Sequence, residues 1–453
     1  MQIRFFGPFA ICTALAGCAA YEAKPLVAEP VLTRPLATLV IDTRTLPFPA
    51  LAAYRFDPTD GLDEVEVAIL AVANNPELKL ARDDAAIARA QAFAAGLLPD
   101  PQLALSSDLS NSGGTTRAFS FGLSYDVSAL VKQEANGRAE RADNRKTDLN
   151  LLWQEWQVIS QARLAFVKLL YARKLMAVLA DTRSLFSDRV VRTRLALERG
   201  LVTSDAVTPN LSALQDVEKQ IFELERQTSQ AAYDLNAVLG LPATTMIPLQ
   251  KDASVKEFDE AAVRAAESEL NLRRPDLRAL EAGYEAQDQR YRAALLGQFP
   301  AINIGLTRAR DSSNVYSNGV GITMSLPFLN RNRGNIAIEK ATRQKLFDEF
   351  QQRTRTSHSD IARILDQQRL FVAQLHANEA AVAELSALLA KSELAFRGGN
   401  VDMLLYANAR AGLLARQVEQ INLQQSAAEQ RVALQTVLGV EPANQTPTGK
   451  QGK

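Results

Sequence analysis

Arg117-Ala118-Phe119-Ser120-Phe121-Gly122-Leu123-Ser124-Tyr125-Asp126-Val127 alternates without a break. In an extended chain Phe119, Phe121, Leu123, Tyr125 and Val127 fall on one face, and Ser120, Gly122, Ser124 and Asp126 on the other. The stretch before it, 102–110, sets Leu103, Leu105 and Leu109 opposite Gln102, Ala104, Ser106, Asp108 and Ser110. Later, Ile302, Ile304 and Leu306 oppose Asn303, Gly305 and Thr307, and Val320, Ile322, Met324 and Leu326 oppose Gly321, Thr323 and Ser325. These patterns predict strands over 102–110, 117–127, 301–309 and 319–328. The members of each pair are joined through turn-rich loops at 111–116 and 311–318. Strands of ~9–11 residues with one apolar and one small polar face suit a wall between lipid and water. An amphipathic sheet lying on a helical core is the other reading.

The two strand pairs belong to a repeat of 199 residues. At that offset Pro76 meets Pro275, Pro101 meets Pro300, Gly122 meets Gly321, Gly200 meets Gly399 and Gly240 meets Gly439. Leu78 meets Leu277, Val202 meets Val401, and Val238-Leu239-Gly240 meets Val437-Leu438-Gly439. Chance supplies on the order of one Gly or Pro match at a fixed offset, so ordered matches in one register indicate a tandem duplication. Each half reads as a helix opening at Pro76 or Pro275, the strand pair, a long helix, a Gly turn and a further helix. The long helices are expected over 133–199 and 335–397, stretches free of Pro and roughly 95–100 Å long. The helices after the turns are expected over 204–239 and 402–438. Leu149, Leu152, Trp156, Ile159 and Phe166 have coiled-coil-like spacing.

Composition narrows the function. The 453 residues carry 51 Lys+Arg against 51 Asp+Glu, with only two His and two Cys. There is no excess of positive charge for nucleic acid, and too few His and Cys for the common zinc or redox centres. No nucleophile–base constellation or phosphate loop stands out. Gly319-Val320-Gly321 sits in an alternating strand and is no nucleotide loop. The sequence therefore predicts no enzyme. His358 and His376, eighteen residues apart on one helix, stand ~27 Å apart and cannot share a metal.

The amino terminus reads as an address. Arg4 precedes an apolar run, Phe5 to Leu15, too short to span a bilayer and suited to a secretory signal. Leu15-Ala16-Gly17-Cys18 resembles a bacterial lipobox, which predicts cleavage before Cys18 and a covalent lipid on its thiol. Ala19 in place of Asp agrees with sorting to the outer membrane. The expected organisation is a signal peptide (1–17), a lipid anchor with an extended Pro-rich arm (18–60), a first repeat (61–240), a second repeat (241–440) and a disordered tail (441–453).

Strand pair, long helix, Gly turn and helix, duplicated behind a lipobox, resemble the TolC-like outer membrane efflux protein family. Asn74-Asn75-Pro76-Glu77-Leu78 and Arg274-Pro275-Asp276-Leu277 look like the family's repeat openings. Leu326-Pro327-Phe328-Leu329-Asn330-Arg331-Asn332-Arg333-Gly334-Asn335-Ile336 is similar to the run after the last strand in the heavy-metal cation (CzcC/CusC-like) branch. Residues 128–138 lack the corresponding paired Gly.

The resemblance implies a mainly α fold with a small β part, four strands per chain. A homotrimer would close a twelve-strand outer-membrane β-barrel about 24 Å across, continued by a periplasmic α-barrel of long hairpins. It implies a passive exit duct in a Gram-negative outer membrane, docked on a periplasmic adaptor and an inner membrane resistance–nodulation–division pump. Heavy-metal cations, or drugs, would be the cargo, with no cofactor beyond the Cys18 lipid and no resident metal. A type I secretion exit and a lipid-anchored coiled-coil structural or adhesive protein are the alternatives.

The resemblance also places the adaptor contact and gate at the two helical turns. Their residues are Arg199, Gly200, Val202 and Asp205 in the first half, and Arg397, Gly399, Val401 and Asp402 in the second, with the arginines and aspartates as candidate ion pairs. Thr203 or Ser204, and Asp402, are candidate helix caps. Asp108 and Asp126 are candidate lumen-facing carboxylates.

Overall fold

The computed structural model describes residues 21–26, 40–109, 116–250, 259–398 and 403–441. The chain divides into two compact units, Met1–Arg34 and Pro35–Lys453. In the first, residues 21–26 are exposed and without regular structure. Cys18, and with it the lipobox, lies outside the described residues, as does the tail beyond Glu441. Every regular element among the described residues belongs to the second unit.

The first repeat opens with α1 (Glu64–Asn74) and α2 (Pro76–Ala95). Asp63 starts α1 with a capping box. Its Oδ1 accepts from the amides of Val65 and Glu66, both at 2.8 Å, while Glu66 Oε2 accepts from the Asp63 amide at 3.0 Å. Asn75 ends α1 and begins α2, its Oδ1 accepting from the Leu78 amide at 2.9 Å, with Pro76 in the first turn. Next come β1 (Gln102–Asp108), β2 (Ala118–Asp126), α3 (Ser128–Glu198) and α4 (Ser204–Val238). The second repeat runs through α5 (Glu260–Ser268), α6 (Pro275–Leu296), β3 (Ile302–Arg310), β4 (Tyr316–Met324), α7 (Arg333–Arg397) and α8 (Met403–Leu438). At 71 and 65 residues, α3 and α7 reach ~105 and ~98 Å.

The 199-residue offset reappears as a repeated joint. Asn75 Nδ2 donates to the Val238 carbonyl at 2.8 Å, and Arg274 Nη1 to the Val437 carbonyl at 3.4 Å. Helices α4 and α8 each finish on a left-handed glycine, Gly240 (φ 63°) and Gly439 (φ 67°). The Leu241 amide bonds back to the Asn236 carbonyl at 2.9 Å and the Val440 amide to Gln435 at 3.0 Å, the glycine-terminated helix ending known as a Schellman motif. A Cβ on Gly240 would stand 2.3 Å from the Asn74 carbonyl oxygen, and one on Gly439 3.2 Å from Arg273. Each half thus closes by pressing the end of its last helix against the opening of its first pair.

Helix α3 is the centre of the helical layer, packing on α1, α2, α4, α6 and α8, while α7 packs on α6 and α8. That leaves α2 and α4 at one edge and α7 at the other. The main core joins α1, α2, α3, α4 and α8 through Leu70, Leu78, Val158, Phe166, Leu170, Leu235 and Val432. A smaller one joins α5, α6, α7 and α8 through Val263, Leu277, Ile361, Ile364 and Leu434. Among the five residues of the predicted seam, Leu149, Trp156, Ile159 and Phe166 are buried.

Ionic joints stitch the halves. The Arg163 guanidinium, on α3, lies 2.7 Å from Glu64 of α1 and 2.5 Å from Gln435 of α8, and Arg431 of α8 pairs with the same Glu64. Burial holds the Arg163 pKa below that of an ordinary guanidinium. Arg274 makes a two-point pair with Asp276 at 2.9 and 2.7 Å, donates to Ser357 Oγ at 2.7 Å and lies over the Trp153 ring.

Two differences from the sequence reading stand out. The Pro-rich stretch is not an extended arm as far as residue 60. Around Pro49–Ala52 it forms a short helical turn, with Leu51 buried and the Phe48 ring 5.4 Å from that of Trp156. Pro at 47 and 49 fixes the entry angle that drives Phe48 into the core. The last strand also begins and ends earlier than expected, at Tyr316–Met324 rather than 319–328. Asp311 Oδ1 accepts from the Ser313 and Val315 amides at 2.8 and 2.9 Å, and Asn314 takes the left-handed conformation. The β3–β4 turn is therefore tight, and pairing starts at Arg310↔Tyr316.

Candidate functional site

The sheet has the order β1-β2-β3-β4, every neighbouring pair antiparallel. Its register lines up the apolar residues in rows. Leu103, Leu123, Leu306 and Val320 make one row, and Tyr125, Ile304 and Ile322 another. This face is the open one: Leu105 is 71%, Leu306 55%, Val320 73% and Ile322 68% exposed. On β2 the alternate residues Ser120, Gly122 and Ser124 are the less exposed ones. Ser106 and Ser120 hydroxyls hydrogen-bond across the strands at 2.8 Å, and Thr307 Oγ1 donates to the Gly319 carbonyl at 3.3 Å. A water-facing sheet buries its apolar side. Here the arrangement is inverted, as for a sheet whose apolar side meets hydrocarbon.

Both long edges of this sheet are open, along β1 and along β4. The helical layer has the same property. Its α2/α4 edge exposes Leu80, Ile87, Phe93 and Phe222, and α7 exposes Ile338, Phe347, Leu370, Leu388 and Leu394. Scattered exposed leucines are ordinary, but large apolar side chains along both rims of a layer are the kind of surface that suits a further contact.

The asparagine–arginine run below β4 has a structural role. Asn332 is left-handed (φ 53°), and its Nδ2 donates to the Ala294 carbonyl at 2.8 Å, finishing α6. Gly297 makes room for it: a Cβ there would lie 2.6 Å from Asn332 Nδ2. Arg331 and Arg333, on either side, point to solvent.

The two lumen candidates separate. Asp108 ends β1, exposed, on the polar face opposite Ala118. Asp126 ends β2 on that face, but its Oδ1 accepts from the Ser128 amide at 2.9 Å and from the Ser128 hydroxyl. Its carboxylate secures the strand-to-helix corner rather than standing free.

At the far end, Gly200 (φ 67°) turns α3 into α4 with another Schellman ending, the Leu201 amide reaching the Ala196 carbonyl at 2.8 Å. A Cβ on Gly200 would meet nothing within 4 Å, so its backbone angle, not space, asks for glycine. Arg199 is exposed and without an ion-pair partner among the described residues, and Val202 is half-buried. Thr203 occupies the cap position of α4, yet its hydroxyl does not cap the backbone. Thr203, beside Asp205, is the main cause that holds that carboxyl below the usual range.

Arg397 pairs within its own helix, with Glu393 at 2.5 Å. Gly399, Val401 and Asp402 lie outside the described residues. The expected pairing of tip arginines with tip aspartates is thus not how Arg397 and Asp205 are engaged in one subunit. Leu185, near the end of α3, packs against Ala407 and Leu414, near the start of α8.

One tip feature escaped the sequence reading. The rings of Phe396 and Tyr406 stack at 5.2 Å and 9°, bracketing the second turn. Two aromatics on either side of Gly398-Gly399-Asn400 were the available signal. His358 is engaged by Glu267 at 2.7 Å and His376 lies 3.6 Å from Glu379. Among the described residues no group of three or more His, Cys, Asp or Glu is placed to hold a metal ion. No described helix is long and apolar enough to cross a membrane.

Comparison with known proteins agrees with this geometry. Residues 267–440 match the outer membrane efflux protein family. The chain is 22% identical over 391 residues to the cation efflux system protein CusC of Escherichia coli, covering 82% of this chain and 84% of that one. It is 23% identical over 415 residues to the pyoverdine export outer membrane protein OpmQ of Pseudomonas putida, covering 82% and 85%. Among solved structures it resembles the outer-membrane channel OprN with a TM-score of 0.71 at 16% identity, over 87% of this chain and 96% of that one. The resemblance to TolC-like outer membrane efflux proteins, and the mainly helical fold with a small sheet, are borne out.

Proposed function

We propose that this chain, an outer membrane efflux protein by likeness, is one third of a passive exit duct. The observation that carries the reading is the pair of open, matching edges on an inverted sheet. Four strands cannot close around a lumen. Because their number is even, β4 of one copy meets β1 of the next in antiparallel sense, so identical copies extend the same ladder. Closing it puts the apolar rows outward to lipid and Ser106, Ser120, Ser124 and Thr307 inward to water. The same rotation carries the exposed apolar rim of α7 onto the α2/α4 rim of the neighbour, joining the helical layers below the membrane. Three copies close a ring that passes small solutes. A lipid on Cys18 would add a tether at the same membrane.

The helical turns are the surfaces offered to a periplasmic adaptor. Arg199, Gly200, Val202 and Asp205, with Arg397, would supply its contacts in the described part, and Gly399, Val401 and Asp402 are the sequence candidates beside them; the Phe396–Tyr406 stack stiffens that end. An inner membrane pump supplies the energy and the choice of cargo. Likeness to a cation efflux protein favours metal cations as cargo; likeness to a pyoverdine exporter argues that the scaffold is not tied to them. The duct performs no chemistry.

Purified protein reconstituted in planar bilayers tests the reading. Native mass spectrometry is expected to give a trimer, and bilayers to show ion conductance. A monomer that stays in water and never conducts would sink it. For cargo, a deletion strain is expected to become sensitive to metal cations; sensitivity confined to organic drugs would reverse the metal assignment.

A further inference from the structure

The outer face of the sheet is not uniformly apolar. Its rows change character toward the hairpin end. The Leu103–Leu123–Leu306–Val320 row is wholly apolar, the next is Leu105–Phe121–Arg308–Asn318, and the last is Ser107–Phe119–Arg310–Tyr316. Arg308 and Arg310 therefore stand on the lipid-facing side. Arg117, two residues before Phe119, shares it. The helices attach at the opposite end of every strand, so this arginine border is the one farthest from the periplasmic body.

Three details show that the border is built. The Arg310 guanidinium lies 4.9 Å from the Phe119 ring centre, and its Nη2 donates to the Arg117 carbonyl at 2.7 Å. Its buried Nε has no partner among the described residues. Arg117 Nε donates to Ser107 Oγ at 2.6 Å, and Phe119 and Tyr316 meet edge to face at 6.2 Å. Arg308 is exposed beside a shallow cleft of about 330 Å³ with Phe121, Asn318 and Val320, and it has no ion pair among the described residues. No Asp or Glu shares this face of the described strands. Along β3, the eight steps from Ile302 to Arg310 rise ~21 Å at ~40° tilt, most of a ~25 Å lipid band, so the arginines reach headgroup depth.

Resting on the duct reading, we propose that this border is a binding site for the phosphorylated glycolipid of the outer leaflet, lipid A. Its phosphates would sit on Arg308 and Arg310, and an acyl chain would lie along the cleft toward Val320. Guanidinium groups suit the occupant because they hold phosphate at two points while resting on aromatic rings. An apolar groove directly beneath a cation matches a molecule with hydrocarbon beneath an anion.

The test is lipid retention by the intact detergent-solubilised trimer, read by native mass spectrometry. Bisphosphorylated lipid A, the same lipid stripped of phosphate, and inorganic phosphate are offered in turn. Wild type should retain the phosphorylated form about tenfold better than the stripped one, and R308Q/R310Q should bring the ratio close to one. Equal retention of both lipids by the wild type, which needs no variant to fold, would overturn the proposal. So would a variant that keeps the preference, or displacement of the lipid by millimolar inorganic phosphate. A trimer that conducts but shows no preference removes this site alone; absence of trimer and conductance removes the duct.

Discussion

Helices α3 and α7 descend from one ancestral segment and have ended in opposite environments. The seam residues of α3, Leu149, Leu152, Trp156 and Ile159, correspond at the 199-residue offset to Asp348, Gln351, Arg355 and His358 of α7. The first four are buried or half-buried and the second four exposed. The same backbone is surrounded by helices in one half and stands at the rim in the other. Duplication preserved element lengths, which set where turns and strands fall along the axis. It released side-chain chemistry, which each position then took from its neighbours. An α7 seam as apolar as that of α3 would have left a greasy stripe exposed on this chain.

Unfolding of the assembled protein tests that contrast most strongly in the cores. Phe166 is fully buried in the main cluster, and its counterpart Leu365 is only partly buried. Phe166→Ala is expected to cost about 3–5 kcal/mol and Leu365→Ala about 1–2 kcal/mol, read as midpoint shifts at one protein concentration. Equal losses would mean that α7 is as enclosed as α3.

The repeated joint gives the next effect. Removing the Arg274 guanidinium leaves the Asp276 carboxylate buried with, among the described residues, only Arg353 at 3.3 Å as ion-pair partner, so Arg274→Ala should cost about 3 kcal/mol. Asn75→Ala, which loses neutral hydrogen bonds, should cost about 1–2 kcal/mol. The reverse order would show that the charged joint is dispensable.

The closing glycines should differ by a comparable amount, read from the same unfolding midpoints. Gly240→Ala meets backbone at 2.3 Å and should cost about 2–4 kcal/mol, whereas Gly439→Ala carries mainly the left-handed penalty of about 1–2 kcal/mol.

The rim sharpens the comparison without touching the fold of a subunit. Leu370 on α7 is 64% exposed. Leu370→Glu should leave far-ultraviolet circular dichroism unchanged and shift the proposed trimer toward monomer in native mass spectra; an unaltered oligomer would place the subunit contact elsewhere. The least effect is expected at Asp402, proposed for the adaptor contact, where Asp402→Arg should change conductance or adaptor dependence with no loss of stability. Conductance and resistance both equal to wild type would remove the tip from the gate.

Much of this was legible in the residues because it is local. Alternation at period two marked β1 to β3 within a residue or two, and failed only at β4, where the Asp311–Asn314 turn lets pairing begin at Tyr316. Asn332 was visible as part of a motif, but not as the side chain that finishes α6. Asp126 was visible as a polar-face residue, but not as the partner of Ser128. Arg308 and Arg310 lie past Thr307, the last residue whose face the alternation assigned in that strand, and their place at the border emerged from the register.

Periodicity, the 199-residue offset and the glycine turns determined the order and length of the elements, because each depends on backbone geometry over a few residues. The tertiary structure decided which duplicate lies inside and which at the rim, which charges are neutralised within the fold, and which edges remain open. Those outcomes depend on neighbours hundreds of residues away, and identical local patterns are compatible with either environment.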